Sequence, residues 1–321
     1  MGRFAELLGI DSMNPGRRSF MRGAGVAGVT AFAAGLLGSG QSEAEAAETA
    51  VFIENGKKHQ VSDTDILNFA LNLEYLEAEF YLRATSNTGL GDSAISGVTG
   101  SGKKPKTPAT PGAVTGGTQV PFLIPAIQAY AAKNAADEAA HVTLLRTALG
   151  KDAVARPAID LQASFNAAAS AAGIGSTFDP FANDDNFLLG AFIFEDVGVT
   201  AYHGAAPFIK KSALLNAAAG ILGIEAYHAG SIRTTLYARG QSNPALITAA
   251  NKITVLRASA DGSGGAGNEA PLVADNGTVN ISVGDANAVA FARTFQEVLN
   301  IVYLGPTKGG FFPDGLNGMI A

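Results

Sequence analysis

Apolar positions recur at spacings of three and four over most of the chain, and residues that start or stop helices bound each run. Ser62-Asp63-Thr64-Asp65 offers capping side chains and first-turn negative charge. From there Ile66, Ala70, Leu73, Glu77 and Phe80/Tyr81 mark the buried stripe of a helix that ends near Ala84, with Glu74 beside the stripe. A second helix is expected to start between Pro121 and Pro125, where proline is tolerated in the first turn, and to stop at Leu149-Gly150. A third, from Asp184 to His203, carries Phe187, Leu188, Ala191, Phe194, Glu195 and Val199. The fourth, Ser212 to Arg239, follows a short turn containing Pro207 and is therefore antiparallel to the third. Further helices are predicted at Pro244 to Ala260 and Asp285 to Leu304, and a short one at Leu161 to Ala172.

The segments between these helices shape the topology. Residues 86–119 are rich in Gly, Ser, Thr and Pro, which leaves two readings, a cover over a functional site or a mobile loop. The second helix is roughly 38 Å long at the α-helical rise. The stretch from Lys151 to Asn183 can cross that distance, so the third helix can run parallel to the second. Gly190, Gly198, Gly220, Gly223 and Gly230 interrupt good helix formers, which implies close helix approach or a local bulge. The ending around Phe311-Phe312-Pro313 is expected to dock on the helices. The expectation is an all-α four-helix bundle over 62–240, preceded by an arm at 47–61 and followed by a helical extension and tail at 241–321.

Two helices repeat one chemical pattern. Glu138 and His141 in the second match Glu225 and His228 in the fourth, each a Glu-x-x-His that places carboxylate and imidazole on one helix face. A bundle that holds two metal ions takes such a pair from two helices and a single carboxylate from each of the other two. Glu74 and Glu195 lie near the midpoints of the remaining helices, at the same depth. Four carboxylates and two imidazoles suit iron or manganese, and the absence of cysteine removes thiolate centres and disulfides. Glu77 is the reserve ligand on the first helix. Glu79 points away from Glu74, to the surface or an outer layer. His59 lies exposed in the arm, and His203 is a helix-end histidine. Asp137, Asp196 and Tyr227 adjoin the ligand positions but point elsewhere, to a layer behind the ligands or to the surface, while Tyr81 is either a core aromatic or a partner of the centre.

Charged residues make up 16% of the chain and the formal net charge is −6, with no basic run able to follow a phosphate backbone, so nucleic acid is not an expected partner. Gly16-Arg17-Arg18-Ser19-Phe20, an uncharged stretch from Gly23 to Gly40, and Ala44-Glu45-Ala46 follow the order of a secretion leader of twin-arginine type. Cleavage after Ala46 gives an exported protein without a stable membrane span.

On Ile66 to Tyr81, Asp137 to His141, Phe194-Glu195-Asp196, Ile224 to His228 and the Phe311-Phe312-Pro313 ending, the chain resembles the ferritin-like domain proteins, and within them the desiccation-related branch. The resemblance implies terminal ligands at Glu74 and Glu195, bridging ligands at Glu138 and Glu225, nitrogen ligands at His141 and His228, and an aromatic seven residues after the first-helix carboxylate, here Tyr81. It implies two iron or manganese ions and an activity on peroxide, dioxygen or ferrous iron. The second expectation, from the stress association of that branch, is a non-enzymatic protective protein. A homo-oligomer is compatible with either.

Overall fold

Ser62 starts the first long helix through a reciprocal pair of hydrogen bonds: its hydroxyl accepts from the Asp65 amide at 3.3 Å, and the Asp65 carboxylate accepts from the Ser62 amide at 3.0 Å. The computed structural model describes residues 51–54, 57–100, 106–262 and 269–321. The expected leader and its twin arginines lie outside these residues. The chain divides into two units, Met1–Val51 and Phe52–Ala321, and the architecture that follows belongs to the second.

Two short strands, β1 (Val51–Glu54) and β2 (Lys57–Gln60), precede α1 (Asp63–Ser86). Asn87, in the left-handed conformation at φ 58°, ends α1. A short α2 (Asp92–Ile95) and three two-residue strands, β3 (Gly97–Val98), β4 (Pro108–Ala109) and β5 (Val114–Thr115), lead to α3 (Pro125–Leu149). Then come β6 (Ile159–Asp160), α4 (Ala163–Ala171), α5 (Asp184–Ala205), α6 (Ser212–Gly240), α7 (Pro244–Ala260) and α8 (Phe295–Val302).

Side-chain pairs fix the helix directions. Arg146 donates to the Tyr75 hydroxyl at 2.6 Å and Asn134 to the Tyr81 hydroxyl at 3.4 Å, so later residues of α3 meet earlier residues of α1 and the two are antiparallel. Arg233 pairs with Asp196, and Arg239 with Asp185, which makes α5 and α6 antiparallel. Tyr81 reaches Glu195 and Tyr202 reaches Glu74, so α1 and α5 are antiparallel as well. It follows that α3 and α5 run parallel, joined by the long crossover at 151–183. The fold is an all-α bundle of the ferritin-like kind, in which α1 and α5 are almost wholly buried while α3 and α6 each keep an exposed side.

The segment at 86–119 is an ordered clasp over its described residues. β3 pairs antiparallel with β4, and β5 pairs in parallel with β6 of the crossover, Val114 opposite Ile159. Glu79 holds both segments: it is ion-paired with Arg156 of the crossover and with Arg83 at 3.0 Å, and it accepts from the Leu90 amide at 3.3 Å. Glu79 points away from Glu74 as expected, yet it is buried rather than on the surface.

The last predicted helix is much shorter than Asp285 to Leu304. The Asp285 carboxylate accepts from the amides of Asn287 and Val289 at 2.8 and 3.0 Å, closing a turn that competes with helix. α8 begins only at Phe295, and the hydroxyl of the preceding Thr294 accepts from the Glu297 amide. The tail docks: Phe311 lies 4.9 Å from Phe194 and 5.1 Å from Phe165 between ring centres. Asn317 and Asn72 exchange hydrogen bonds of 2.8 and 3.1 Å.

Of the helix-interior glycines, Gly190 and Gly198 allow close approach. A β-carbon at Gly190 would stand 2.7 Å from Pro180, and one at Gly198 would stand 2.1 Å from Glu225 Oε2. Gly220, Gly223 and Gly230 have nothing within 4 Å of that position. Among the described residues no helix is long and apolar enough to cross a membrane.

Candidate metal centre

Glu74, Glu138, His141, Glu195, Glu225 and His228 converge between the four long helices, and all are buried. They form two groups, Glu74/Glu138/His141/Glu225 and Glu138/Glu195/Glu225/His228, and within each group one ligating atom per residue lies within 4.8 Å of the others. Glu138 and Glu225 belong to both. The Nδ1 atom of His141 is 3.1 Å from Glu74, 3.3 Å from Glu138 and 3.5 Å from Glu225. His228 Nδ1 is 3.0 Å from Glu138 Oε1 and 3.3 Å from Glu195 Oε2.

Several of these buried atoms lack a hydrogen bond of good geometry: Glu225 Oε2 has no partner, Glu225 Oε1 comes only within 3.5 Å of His141 Nδ1, and Glu138 Oε1 and Glu195 Oε2 meet His228 Nδ1 only in ionic contact. Buried polar atoms are normally satisfied, because leaving one unpaired costs about 1–3 kcal/mol. Unpaired acceptors that converge from separate helices are what a cation would satisfy. The donor set of hard carboxylates and imidazole fits a divalent transition ion, so these groups are able to bind metal.

The electrostatics agree. Burial, then the Glu74 charge, pushes Glu138 up to about 7. Glu225 is driven well above the carboxylate range by burial and then by Glu138, Glu77, Glu74 and Glu195. Burial alone would lower both histidines, but the carboxylates reverse it. Glu74 and Glu138 raise His141 to about 10, and Glu195 and Glu138 raise His228 to about 11. Glu74 is held below its usual value, since the His141 charge and hydrogen bonds from His141 and Tyr202 outweigh its burial. In the metal-free chain the imidazolium protons therefore stand in for cations, and a metal must displace them.

Around these six residues lies a layer that orients them. Tyr81 donates to Glu195 Oε1 and Tyr202 donates to Glu74 Oε1. Tyr81 is thus a partner of the centre rather than mere core. Tyr202 was not singled out in the sequence, although it follows Glu195 by seven residues as Tyr81 follows Glu74. Asp137 Oδ2 is 3.2 Å from His228 Nε2, which turns Nδ1 toward the carboxylates.

The remaining candidates fall elsewhere. Glu77 is buried with Oε1 unpartnered but belongs to neither group. Burial, then the charges on Glu138, Glu195 and Glu74, raises it well above the carboxylate range. His203 Nδ1 is 3.2 Å from the Phe291 carbonyl, at the helix end. Tyr227 is 75% exposed. Asp196 turns from the centre into a buried ionic cluster, 2.7 Å from both Arg233 and Arg257. Glu269 in turn bridges Arg257 at 2.8 Å and Arg293 at 2.6 Å.

The ferritin-like domain family matches residues 62–238. The desiccation-related protein PCC13-62 of Craterostigma plantagineum is 32% identical over 274 residues, covering 80% of this chain and 83% of that protein. The ferritin-like catalase Nec2 of Nesocodon mauritianus is 29% identical over 281 residues, covering 81% of this chain and 85% of that protein. No solved structure gives a significant match.

Proposed function

We propose, from the premise that the chain belongs to the ferritin-like domain family, that it is an exported protein holding two iron or manganese ions and disproportionating hydrogen peroxide. The observation that carries the reading is the pair of overlapping ligand groups sharing Glu138 and Glu225, where both buried oxygens of Glu225 lack a hydrogen bond and Glu138 meets only the two imidazoles. Glu74 and His141 close one position, Glu195 and His228 the other.

Two redox-active ions, when bound, supply a two-electron store and open positions for a small oxygen ligand. In the balanced reaction one peroxide loses two electrons and two protons to become dioxygen, and another gains those two electrons and two protons to become two waters. The chain's own residues prepare the site. Glu138 and Glu225 spread negative charge between the two positions, and Tyr81 and Tyr202 keep one oxygen each of Glu195 and Glu74 hydrogen-bonded. Burial keeps bulk water from competing for the ligands. A closed peroxide cycle also suits a chain without cysteine, which has no thiolate iron centre to bring electrons inward. The relative named a ferritin-like catalase supports the same choice.

The test is oxygen evolution from peroxide by the metal-loaded mature chain. The reading expects catalytic turnover that vanishes in Glu138→Ala. A loaded chain that evolves no oxygen, with or without ferrous iron oxidation, removes the peroxide assignment. A second reading rests on the desiccation-related relative: a protective protein that uses the bundle and not the metal. It predicts that Glu138→Ala/His141→Ala preserves protection of a dried partner enzyme, whereas the first reading gives no reason for such protection.

A further inference from the structure

The two halves of the centre look alike in their ligands and differ in what stands behind them. α1 and α5 contribute equivalent pairs, Glu74 with Tyr81 and Glu195 with Tyr202, and α3 and α6 contribute equivalent Glu-x-x-His motifs. The likeness stops one layer out. On α3, the residue before the motif glutamate is Asp137, which holds His228 Nε2 at 3.2 Å, and the residue four before it is Asn134, which donates to the Tyr81 hydroxyl at 3.4 Å. The corresponding positions on α6 are Ile224 and Ile221. Neither isoleucine side chain has a polar atom to offer His141 or Tyr202.

Both polar supports therefore serve one half. Asp137 orients His228, and Asn134 reaches Glu195 through Tyr81. At the equivalent positions of α6 the half built on Glu74 and His141 has no polar side chain. A carboxylate behind a ligating imidazole fixes its tautomer and raises its basicity, and losing such a partner typically weakens metal binding by 10–100-fold.

We infer that the two metal positions are inequivalent, the Glu195/His228 position binding its ion first and the Glu74/His141 position being the weaker and more readily exchanged. The inference rests on the two-metal reading above. It makes Asp137 a positioning residue for His228, and it makes the apolar residue at 224 the reason the second ion exchanges. Such a centre fills in order, retains one ion under mild chelation, and can hold two different metals.

The experiment is titration of the metal-free mature chain with cobalt(II) alone, followed by its visible absorption and by equilibrium dialysis. The inference expects two uptake steps, one ion each, separated by about 10–100-fold in Kd. Glu195→Ala removes the tighter step, and Glu74→Ala removes the weaker one. Asp137→Asn moves the tighter step toward the weaker by about tenfold or more, with stoichiometry still two ions. Ile224→Asp strengthens the weaker step.

Two ions bound with indistinguishable Kd in the wild-type chain, or loss of the tighter step in Glu74→Ala, overturns the inference and leaves the two-metal centre intact. A chain that binds no cobalt overturns both. Asp137→Asn that changes thermal stability while leaving both steps in place marks Asp137 as merely structural and counts against the inference.

Discussion

At the scale of single residues, the centre depends on fit as much as on ligands. Gly198 on α5 leaves room for the Glu225 carboxylate, and a β-carbon there would lie 2.1 Å from Oε2. Gly198→Ala is predicted to displace Glu225 and weaken metal binding at least about tenfold, against any helix-propensity gain of about 1 kcal/mol. Gly223→Ala on α6 meets nothing within 4 Å and is predicted to be neutral or stabilising by up to about 1 kcal/mol with metal binding unchanged. Metal titration alongside chemical denaturation of the two variants separates these effects. Glu77 gives the opposite contrast: it is buried close enough to feel the charges of the centre, but it stands outside both ligand groups. Glu77→Gln is predicted to retain its full metal content, and loss of an ion would make it a ligand.

At the scale of elements, a buried ionic cluster fastens α7 and the segment after residue 268 to α5 and α6. Asp196 meets Arg233 and Arg257, and Glu269 meets Arg257 and Arg293, while both Arg233 and Arg257 stack over Phe192 at 4.9 and 4.7 Å. Removing one member strands buried charge, which costs about 3–5 kcal/mol. Asp196→Asn is therefore predicted to lower unfolding free energy by that order at neutral pH. The sign with pH follows from the shift. Burial would raise Asp196, but Arg257 and Arg233 depress it below its ordinary 3.8, so its contribution is present above that value and is lost as pH falls below it. The gap between wild type and Asp196→Asn is predicted to hold from pH 7 to about 4 and to close below 3.8. A gap unchanged at low pH would contradict the ion-pair account.

The sequence was unequally informative about these elements. The long helices α1, α3, α5, α6 and α7 were legible to within a few residues, because apolar spacing and capping residues such as Ser62 and Gly150 are local signals. The Glu-x-x-His pairs were legible for the same reason. The Asp196 cluster was not, since its arginines sit at 233, 257 and 293 and meet only through tertiary packing. Tyr202 could have been found by applying to Glu195 the seven-residue spacing seen for Tyr81. The helix predicted from Asp285 failed because hydrogen bonding by that aspartate to the backbone outweighed the apolar pattern. The order in residues 86–119 comes from pairing with the crossover, which composition does not encode.

At the scale of the whole molecule, the bundle folds around a concentration of acid. Four carboxylates with two imidazoles, and Glu77 beside them, are buried together, and the metal-free chain meets this by protonating the imidazoles and raising Glu138, Glu225 and Glu77, while the His141 charge holds Glu74 low. Ions that bind only the folded chain add about 2.7 kcal/mol each at one hundred times Kd. Chelation is predicted to lower the melting temperature by several degrees, reversibly on re-addition of manganese or iron. Because metal must displace protons from His141 and His228, its affinity is predicted to fall as pH falls, in the same direction for both ions.

The most direct measurement is elemental analysis of the chain purified from cells supplied with iron and manganese, beside the Glu138→Ala/Glu225→Ala variant. The account predicts about two ions per wild-type chain, with little or none in the variant that lacks both shared carboxylates. A folded wild-type chain without metal, or a variant that keeps its ions, would contradict the dinuclear centre on which the functional reading stands.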